Sequence, residues 1–423
     1  MPSTPGTYAV ADWVAMDCQR LLTNMLEASS YANFSYQDEF KKDFQPGDTV
    51  RVKFPQEFTV SDGFEYSAQA INRQTTTVSI DQPLQIGFEW DSIEQALKLE
   101  RSQKQIQEEY NVPAMQQFAQ EFETRFMDFC FYNISHVVGT LASVPTAWST
   151  YAGARSTMVR NSAWSASPRR GMIVTPDMQA TLIANSLTQF NPTDEISKQY
   201  KTGSVGKAAG FDWFESMSCH PHTTGIWATV ATGVTISGSG QSGTSILVAC
   251  TTGDTFNRGD HINIAAVNEV NPRTKRSNGV LAQWKIMVTT TGASSAATLT
   301  INNPGIIGPG SPYQNVDALP VTAAIVTLMP GTSMSNGAAR TGVFGMAINP
   351  LAIAMAGIEL MIPSEGGLVK IARRARDKTT GLSIALISAF DPDLRRQINR
   401  FDSLIGFGAL YAHRCGVLIA SLT

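Results

Sequence analysis

Residues Pro113 to Leu141 are the only long run that reads as one uninterrupted helix, and every other segment has to be fitted around it. Phe118, Phe122, Phe126 and Phe129 recur at helical steps, and Met115, Ile134, Val137 and Leu141 continue the stripe, so one face is apolar and strongly aromatic. Glu121, Glu123, Arg125 and Asp128 fall between them and mark an opposite, wet face. Pro113 suits the first helical turn and Pro145 lies just past the end, where each residue costs the helix nothing. About 28 residues of helix measure roughly 42 Å, longer than most globular helices. Such a rod is a spine onto which other pieces can lie, although a long core helix of an ordinary enzyme reads the same way.

The length of 423 residues allows about two to four domain-sized units with ample core. Charged residues make up only 16%, below the usual quarter, which gives a weakly charged surface suited to protein contacts. With 32 Lys and Arg against 35 Asp and Glu, the net charge of −3 excludes a polycationic grip on nucleic acid over the whole chain. Cys18, Cys130, Cys219, Cys250 and Cys415 are scattered and odd in number, which reads as free thiols in a reducing compartment. The N-terminal residues lack a basic start followed by an apolar core, so no secretory signal is expected. Gly342 to Pro363 is apolar but interrupted by Asn349-Pro350 and Glu359, which argues against a membrane span. Synthesis in the cytosol follows from these readings.

In chain order, a short amphipathic stretch, Ala11 to Leu26, leads into Tyr31, Phe34, Tyr36, Phe40 and Phe44, five rings on a polar carrier without a clean period. Rings of this kind require burial, either on another molecule or on the chain's own body. TVRVKFP and TTTVSIDQPLQIGFEW then alternate as strands do, with a polar, Gly-containing tip between them that holds Phe58, Phe64 and Tyr66. Together they read as a long hairpin, marginal in water unless it rests on another surface. Asp91 to Glu109 reads as a charged helix leading to the spine.

Ser143 to Ser167 is small, polar and loop-like, and GMIVTPDMQATLIANSL predicts a buried strand followed by a helix starting near Pro176. At about Thr223 the composition shifts sharply to Gly, Ser, Thr, Val, Ala and Asn in short strand-turn units, and it shifts back near Ala339. Five or six such strands indicate a small all-β barrel or sandwich inserted in an α/β domain. Farther on, VKIARRARDKTTGLSIALISAF predicts two strands around a basic turn, and Asp391-Pro392-Asp393 a turn that starts a helix at DLRRQINRF.

No motif of the chain has the spacing and setting that catalysis or cofactor binding requires. Gly238, Gly240 and Gly243 spell G-x-G-x-x-G, but a strand follows where a dinucleotide site needs a helix. The loop around Lys207 lacks phosphate-loop spacing. Cys219-His220-Pro221-His222 is dense in metal-ligand types, yet His136, His261 and His413 stand alone and supply no further ligands by spacing. Arg258-Gly259-Asp260 reads as a tight turn, not an adhesion tripeptide. No catalytic residue, cofactor or metal is assigned. Arg373, Arg374, Arg376, Lys378, Arg395, Arg396 and Arg400 are the places that could meet phosphate or the acidic groups of a neighbouring subunit.

Taken together, the aromatic arm, hairpin, charged helix, spine, α/β domain and inserted β barrel resemble the major capsid proteins of tailed double-stranded-DNA phages. That family has the α+β Hong Kong ninety-seven fold, and the resemblance is to its insertion-domain branch, typified by the coat protein of Salmonella phage P twenty-two. AAGFDWFES, FNRGDHINIAAVNEVN and FDSLIGFGALYAHRCGVLIAS carry the resemblance locally. It implies an N-terminal arm over 1 to 45, an extended loop over 46 to 90 and a peripheral domain with the spine over 91 to 145. An axial domain over 146 to 222 and 340 to 423, with the remaining peripheral strands, would flank an insertion domain over 223 to 339.

The function so implied is an icosahedral shell of hexamers and pentamers, assembled with a scaffolding protein around a portal and enclosing double-stranded DNA without sequence-specific binding. A decoration protein is a further candidate partner, and no membrane is involved. Tyr31, Phe34, Tyr36, Phe40, Phe44, Phe58, Phe64 and Tyr66 become candidates for intersubunit contact, with Phe118, Phe122, Phe126 and Phe129 as the core of the spine. Replacing Phe40 and Phe44 by Ser is expected to leave folded monomers that make no shells. No Lys and Asn pair with a catalytic Glu stands out, so covalent cross-linking is not expected. A bacterial nanocompartment shell shares the arm and hairpin, and a cytosolic enzyme with a β-rich accessory domain is the alternative from another class.

Overall fold

A computed structural model of the chain describes residues 6–36, 49–58, 60, 64, 68–69, 71, 74–91, 111–163, 167, 169–186, 205–227, 233–329, 339–364, 366, 369–377, 381–393 and 396–422. These fold as a mixed α+β protein in two compact units. One comprises residues 1–52, 75–126 and 353–409, and the other residues 53–74, 127–352 and 410–423.

The first unit is organised by the strand Arg396–Ala409. Along one edge it pairs antiparallel with the long strand Thr75–Asp91, from Ser79 opposite Phe407 to Asp91 opposite Arg396. Its other edge is shared by Ser383–Asp391 and Ile353–Ile358, and Val369–Arg376 and Thr49–Lys53 finish the sheet at its two ends. DLRRQINRF therefore leads into a strand, not a helix. Ile398 and Phe401 have strand partners on both edges, and the Asp391 turn only reverses the chain. The second hairpin strand likewise rests on the chain's own sheet.

Helix Gly6–Met25 packs on Val369–Arg376 and Ser383–Asp391. Its buried Ala15, Cys18 and Leu22, with Leu26 just past its end, keep the three-and-four spacing of one face. The helix is longer than the amphipathic stretch read from sequence. Past it, Asn33 accepts from Met355 N at 2.9 Å and donates to Ile353 O at 2.8 Å, which pins this part of the arm to its own chain.

The spine is the helix Val112–Asn133, and it stops short of Leu141. Val137 and Val138 leave it for the strand His136–Gly139, parallel to Gly416–Ser421, where β-branched side chains pack well. Within the first unit Phe118, Phe122 and Phe126 are buried, and the rings of Phe122 and Phe126 lie 6.4 and 5.9 Å from that of Phe407. The face read as wet is only partly so. Glu121 and Arg125 do pair there at 2.9 Å, but Glu123 is buried. Its Oε2 accepts from Ala28 N at 3.0 Å, and its Oε1 accepts from Ser29 N and Ser29 Oγ at 3.1 and 2.6 Å. The charged helix expected over Asp91 to Glu109 lies outside the described residues apart from Asp91, which ends a strand.

At the centre of the second unit is the wholly buried strand Gly416–Ser421, between His136–Gly139 and Thr341–Ile348. Gly171–Val174, Phe211–Glu215 and Lys207–Ala208 extend the sheet. Burial on both faces explains why GVLIAS is apolar without alternation. Residues 143 to 167, read as a loop, contain the helix Trp148–Arg160, which packs on Gly416–Ser421 and His136–Gly139 through Tyr151, Ala154 and Met158. Few large apolar residues advertise it, and tertiary packing decides its conformation.

Between Thr235 and Met329 the chain forms three small antiparallel sheets. They enclose one apolar cluster made entirely of residues 227 to 328, with Trp227, Phe256, Ile262, Trp284 and Leu328 among its members. The strand Ser245–Ala249 returns on Thr235–Ile236 through the glycine-rich turn, as its spacing suggests. The chain goes out to this β-rich stretch along His220–Thr223 and returns along Thr341–Ile348, and these strands pair with each other, Thr223 opposite Thr341.

Candidate functional site

Two features of the second unit stand out, one on the surface and one buried. The first is the loop over residues 53–74. Phe54 N donates to Gln74 O at 3.0 Å and its ring sits 4.7 Å from that of Tyr411. Tyr313 donates to Gln56 Oε1 at 3.1 Å. The Glu57 carboxylate holds Arg414 Nη1 at 2.6 Å and Lys275 Nζ at 3.4 Å. Burial lowers the Lys275 ammonium below the ordinary lysine range, while Glu57 pulls the other way. The root of the loop is therefore held by hydrogen bonds, an aromatic pair and a shared carboxylate.

Beyond that root, Phe58 is 64% exposed, Val60 98%, Ile71 72%, and Phe64 is fully in solvent. Each forgoes on the order of 2 kcal/mol of burial. Phe58 and Phe64 are thus exposed, whereas Phe34 and Tyr36 are half-buried. Tyr31 is buried against its own unit, so its ring is not offered to a neighbour. Phe40, Phe44 and Tyr66 lie outside the described residues. Val60 and Ile71 were not singled out from sequence, where each is a lone apolar residue in a polar stretch.

The buried feature surrounds Phe131, a ring the apolar stripe passed over in favour of the half-buried Phe129. His220 stacks on Phe131 at 4.2 Å, with His222 at 5.2 Å, Phe344 at 5.1 Å and His261 at 6.2 Å. Lys285 lies over the same ring, 3.8 Å from its centre, and donates Nζ to the Phe131 carbonyl. His220 and His222 each have their own carboxylate. Asp128 Oδ1, on a side chain still 44% exposed, accepts from His220 Nδ1 at 2.5 Å, and Asp260 Oδ1 accepts from His222 Nε2 at 2.8 Å. Asp260 Oδ2 also receives Gly225 N and Asn257 N.

Arg258-Gly259-Asp260 is the turn that delivers this carboxylate. Asp260 is buried and Arg258 lies 4.2 Å over the Tyr132 ring, so the tripeptide is spent internally. Gly259 has φ +103°, and a Cβ there would come within 2.8 Å of Phe131 and 2.9 Å of His222, so only glycine fits. Burial pushes Lys285 well below the ordinary lysine range, with Asp260 opposing. Burial, then Lys285 and His222, push His261 well below the ordinary histidine range.

Among the described residues no group of three His, Cys, Asp or Glu could hold a metal. Cys219 is buried, and burial pushes its thiol up to about 12. Of the basic residues, Arg374 and Arg376 reach Glu359 at 3.2 and 3.3 Å, Arg396 reaches Glu89 at 2.6 Å and Arg400 reaches Asp402 at 2.6 Å, all within the chain. Lys378 and Arg395 lie outside the described residues.

No curated protein matches the chain by sequence. Solved structures similar to it include one described as Mycobacterium phage Che8, 13% identical, covering 94% of this chain and 90% of that one with a TM-score of 0.47. Another is the capsid structure of the cyanophage P-SCSP1u, 12% identical over 90% and 85% with a TM-score of 0.40. A third, the CUS-3 coat protein I-domain, is 23% identical, covers 24% of this chain and 97% of that one, and has a TM-score of 0.19. The family described as P22 coat protein, gene protein 5, matches residues 36–419. That match takes in nearly the whole sequence, and the chain belongs to the P22 coat protein family.

Proposed function

We propose that this coat protein closes into an icosahedral shell of hexamers and pentamers that encloses double-stranded DNA without reading its sequence. Membership of the family makes it a structural major capsid protein, a subunit of an oligomeric shell located in the virion. The finer reading is the Hong Kong ninety-seven arrangement: arm over 1 to 45, extended loop over 46 to 90, peripheral domain over 91 to 145, axial domain over 146 to 222 and 340 to 423, and insertion over 223 to 339. The separate apolar cluster of residues 227 to 328 and the pairing of the strands that bracket it support the insertion. A scaffolding protein, a portal and a decoration protein are the further partners of this reading, synthesis in the host cytoplasm is its setting, and the role is structural, not catalytic. Among the described residues no helix is long and apolar enough to cross a membrane.

The observation that carries the reading is the loop of residues 53–74, tied at its root through Glu57 and apolar at Phe58, Val60, Phe64 and Ile71. A chain acting alone gains nothing from such a loop. Copies that cover it for one another gain the burial, and permanent assemblies bury on the order of 2,000 Å² or more. The test is negative-stain electron microscopy of the full chain, with and without a candidate scaffold, beside Phe58→Ser/Phe64→Ser. Shells from the parent chain and folded, unassembled subunits from the variant are expected. Normal particles from the variant remove the loop from the argument, and a parent chain that stays monomeric at high concentration with its scaffold overturns the shell.

A further inference from the structure

The spine helix ends at Phe131-Tyr132-Asn133-Ile134, with neither glycine nor proline to stop it. Carbonyls at a helix C-terminus lack intrahelical donors and attract cationic groups. Here the donors come from the β-rich stretch. Lys285 gives Nζ to the Phe131 carbonyl, and the His261 ring gives an N–H to the Ile134 carbonyl. That leaves His261 Nε2 buried and without a hydrogen-bond partner, so the ring sits there neutral. Facing it are Lys285 from the strand Ser277–Lys285, His222 from the strand His220–Thr223, and His136 from the strand His136–Gly139. Asp260 precedes it in the chain and is engaged by His222, His136 is engaged by Glu269 at 3.3 Å, and Cys130 faces Lys285 from the spine.

We propose that this junction is an acid-releasable latch: as pH falls His261 takes a proton from solvent beside Lys285, and the β-rich stretch loosens from residues 127–134. A second positive charge there is buried beside Lys285, and the carboxylates described around it are already engaged. The sign follows from linkage. Because burial, Lys285 and His222 depress the folded-state value of His261, the latch has its full strength above about 6.5, the unfolded value. Strength is lost from there downward, because the loosened form takes the proton first. Lys285, also depressed, adds a slope of the same sign but begins it near 10.5, so a His261 variant isolates the neutral-to-acid step. The idea is independent of how copies assemble.

Hydrogen exchange of the full chain tests it, between about pH 7.5 and about pH 5, with rates corrected for the intrinsic pH dependence. Protection of residues 127–134 and 261–285 is expected to fall by up to roughly tenfold per pH unit, while the strand Gly416–Ser421 holds. His261→Phe, which keeps a ring and cannot titrate, is expected to flatten the slope. A flat profile in the parent chain, or an unchanged slope in His261→Phe, overturns the latch. Should that variant fail to fold, NMR titration of the His261 ring in the parent chain decides, and a midpoint at or above about 6.5 refutes the proposal.

Discussion

Glu123 is the residue where spacing and structure part company most plainly. Helical periodicity sends it to the wet side, yet three donors from Ala28 and Ser29 hold it in the interior. A helix pattern records which side chains are apolar, and nothing in it registers a turn some 95 residues away. Replacing Glu123 by Ala strands those donors and is expected to cost about 2 kcal/mol in urea denaturation. Burial raises the carboxyl above its ordinary value of 4.5. Its contribution is thus complete below about 4.5 and declines as pH rises through the folded-state value. The gap between parent and Glu123→Ala is therefore expected to narrow from mild acid to alkaline buffer. His220, His222 and Asp260 teach the same lesson, since a dense local motif suggested ligands and the fold gave each histidine a carboxylate of its own.

Among the elements, the strand Arg396–Ala409 has the most to lose from a small change. A Cβ at Gly406 would lie 2.0 Å from the Ser79 carbonyl, at the point where the pairing with Thr75–Asp91 shifts register. Gly406→Ala is expected to unzip that edge, read as insoluble expression or as a thermal midpoint lowered by several degrees. Two strands around a basic turn were legible in the sequence, as Val369–Arg376 against Ser383–Asp391 attests. The two errors of type, a loop where Trp148–Arg160 is helical and a helix where Arg396–Ala409 is a strand, share one cause. In both, neighbours distant in sequence supply what the local pattern lacks, namely a sheet to pack on or two edges to pair with. The early end of the spine is a third instance, with its donors arriving from residues 261 and 285.

For the whole molecule, what was readable is the β-rich stretch, because it is written in composition. The abrupt change near Thr223 and the reversal near Ala339 bracket a body whose apolar cluster draws on residues 227 to 328. Which aromatic side chains stay exposed was only half readable. Tyr31 and Phe64 look alike in sequence, and just one of them is covered by its own chain. The Phe58→Ser/Phe64→Ser variant acts at this scale. Because neither ring contributes to a buried core, its unfolding free energy is expected to stay within about 0.5 kcal/mol of the parent, so a loss of shells reports assembly and not misfolding.

Thr223 and Thr341 sit side by side, their hydroxyls 2.8 Å apart. Whatever lies between them is spliced onto the remainder through a doorway one ladder rung wide, about 5 Å. A foreign guest whose own termini lie that close together is expected to graft there and leave the sheet around Gly416–Ser421 intact, which circular dichroism and particle imaging would verify. Many copies would then carry the passenger on a common lattice, turning a container into a display platform.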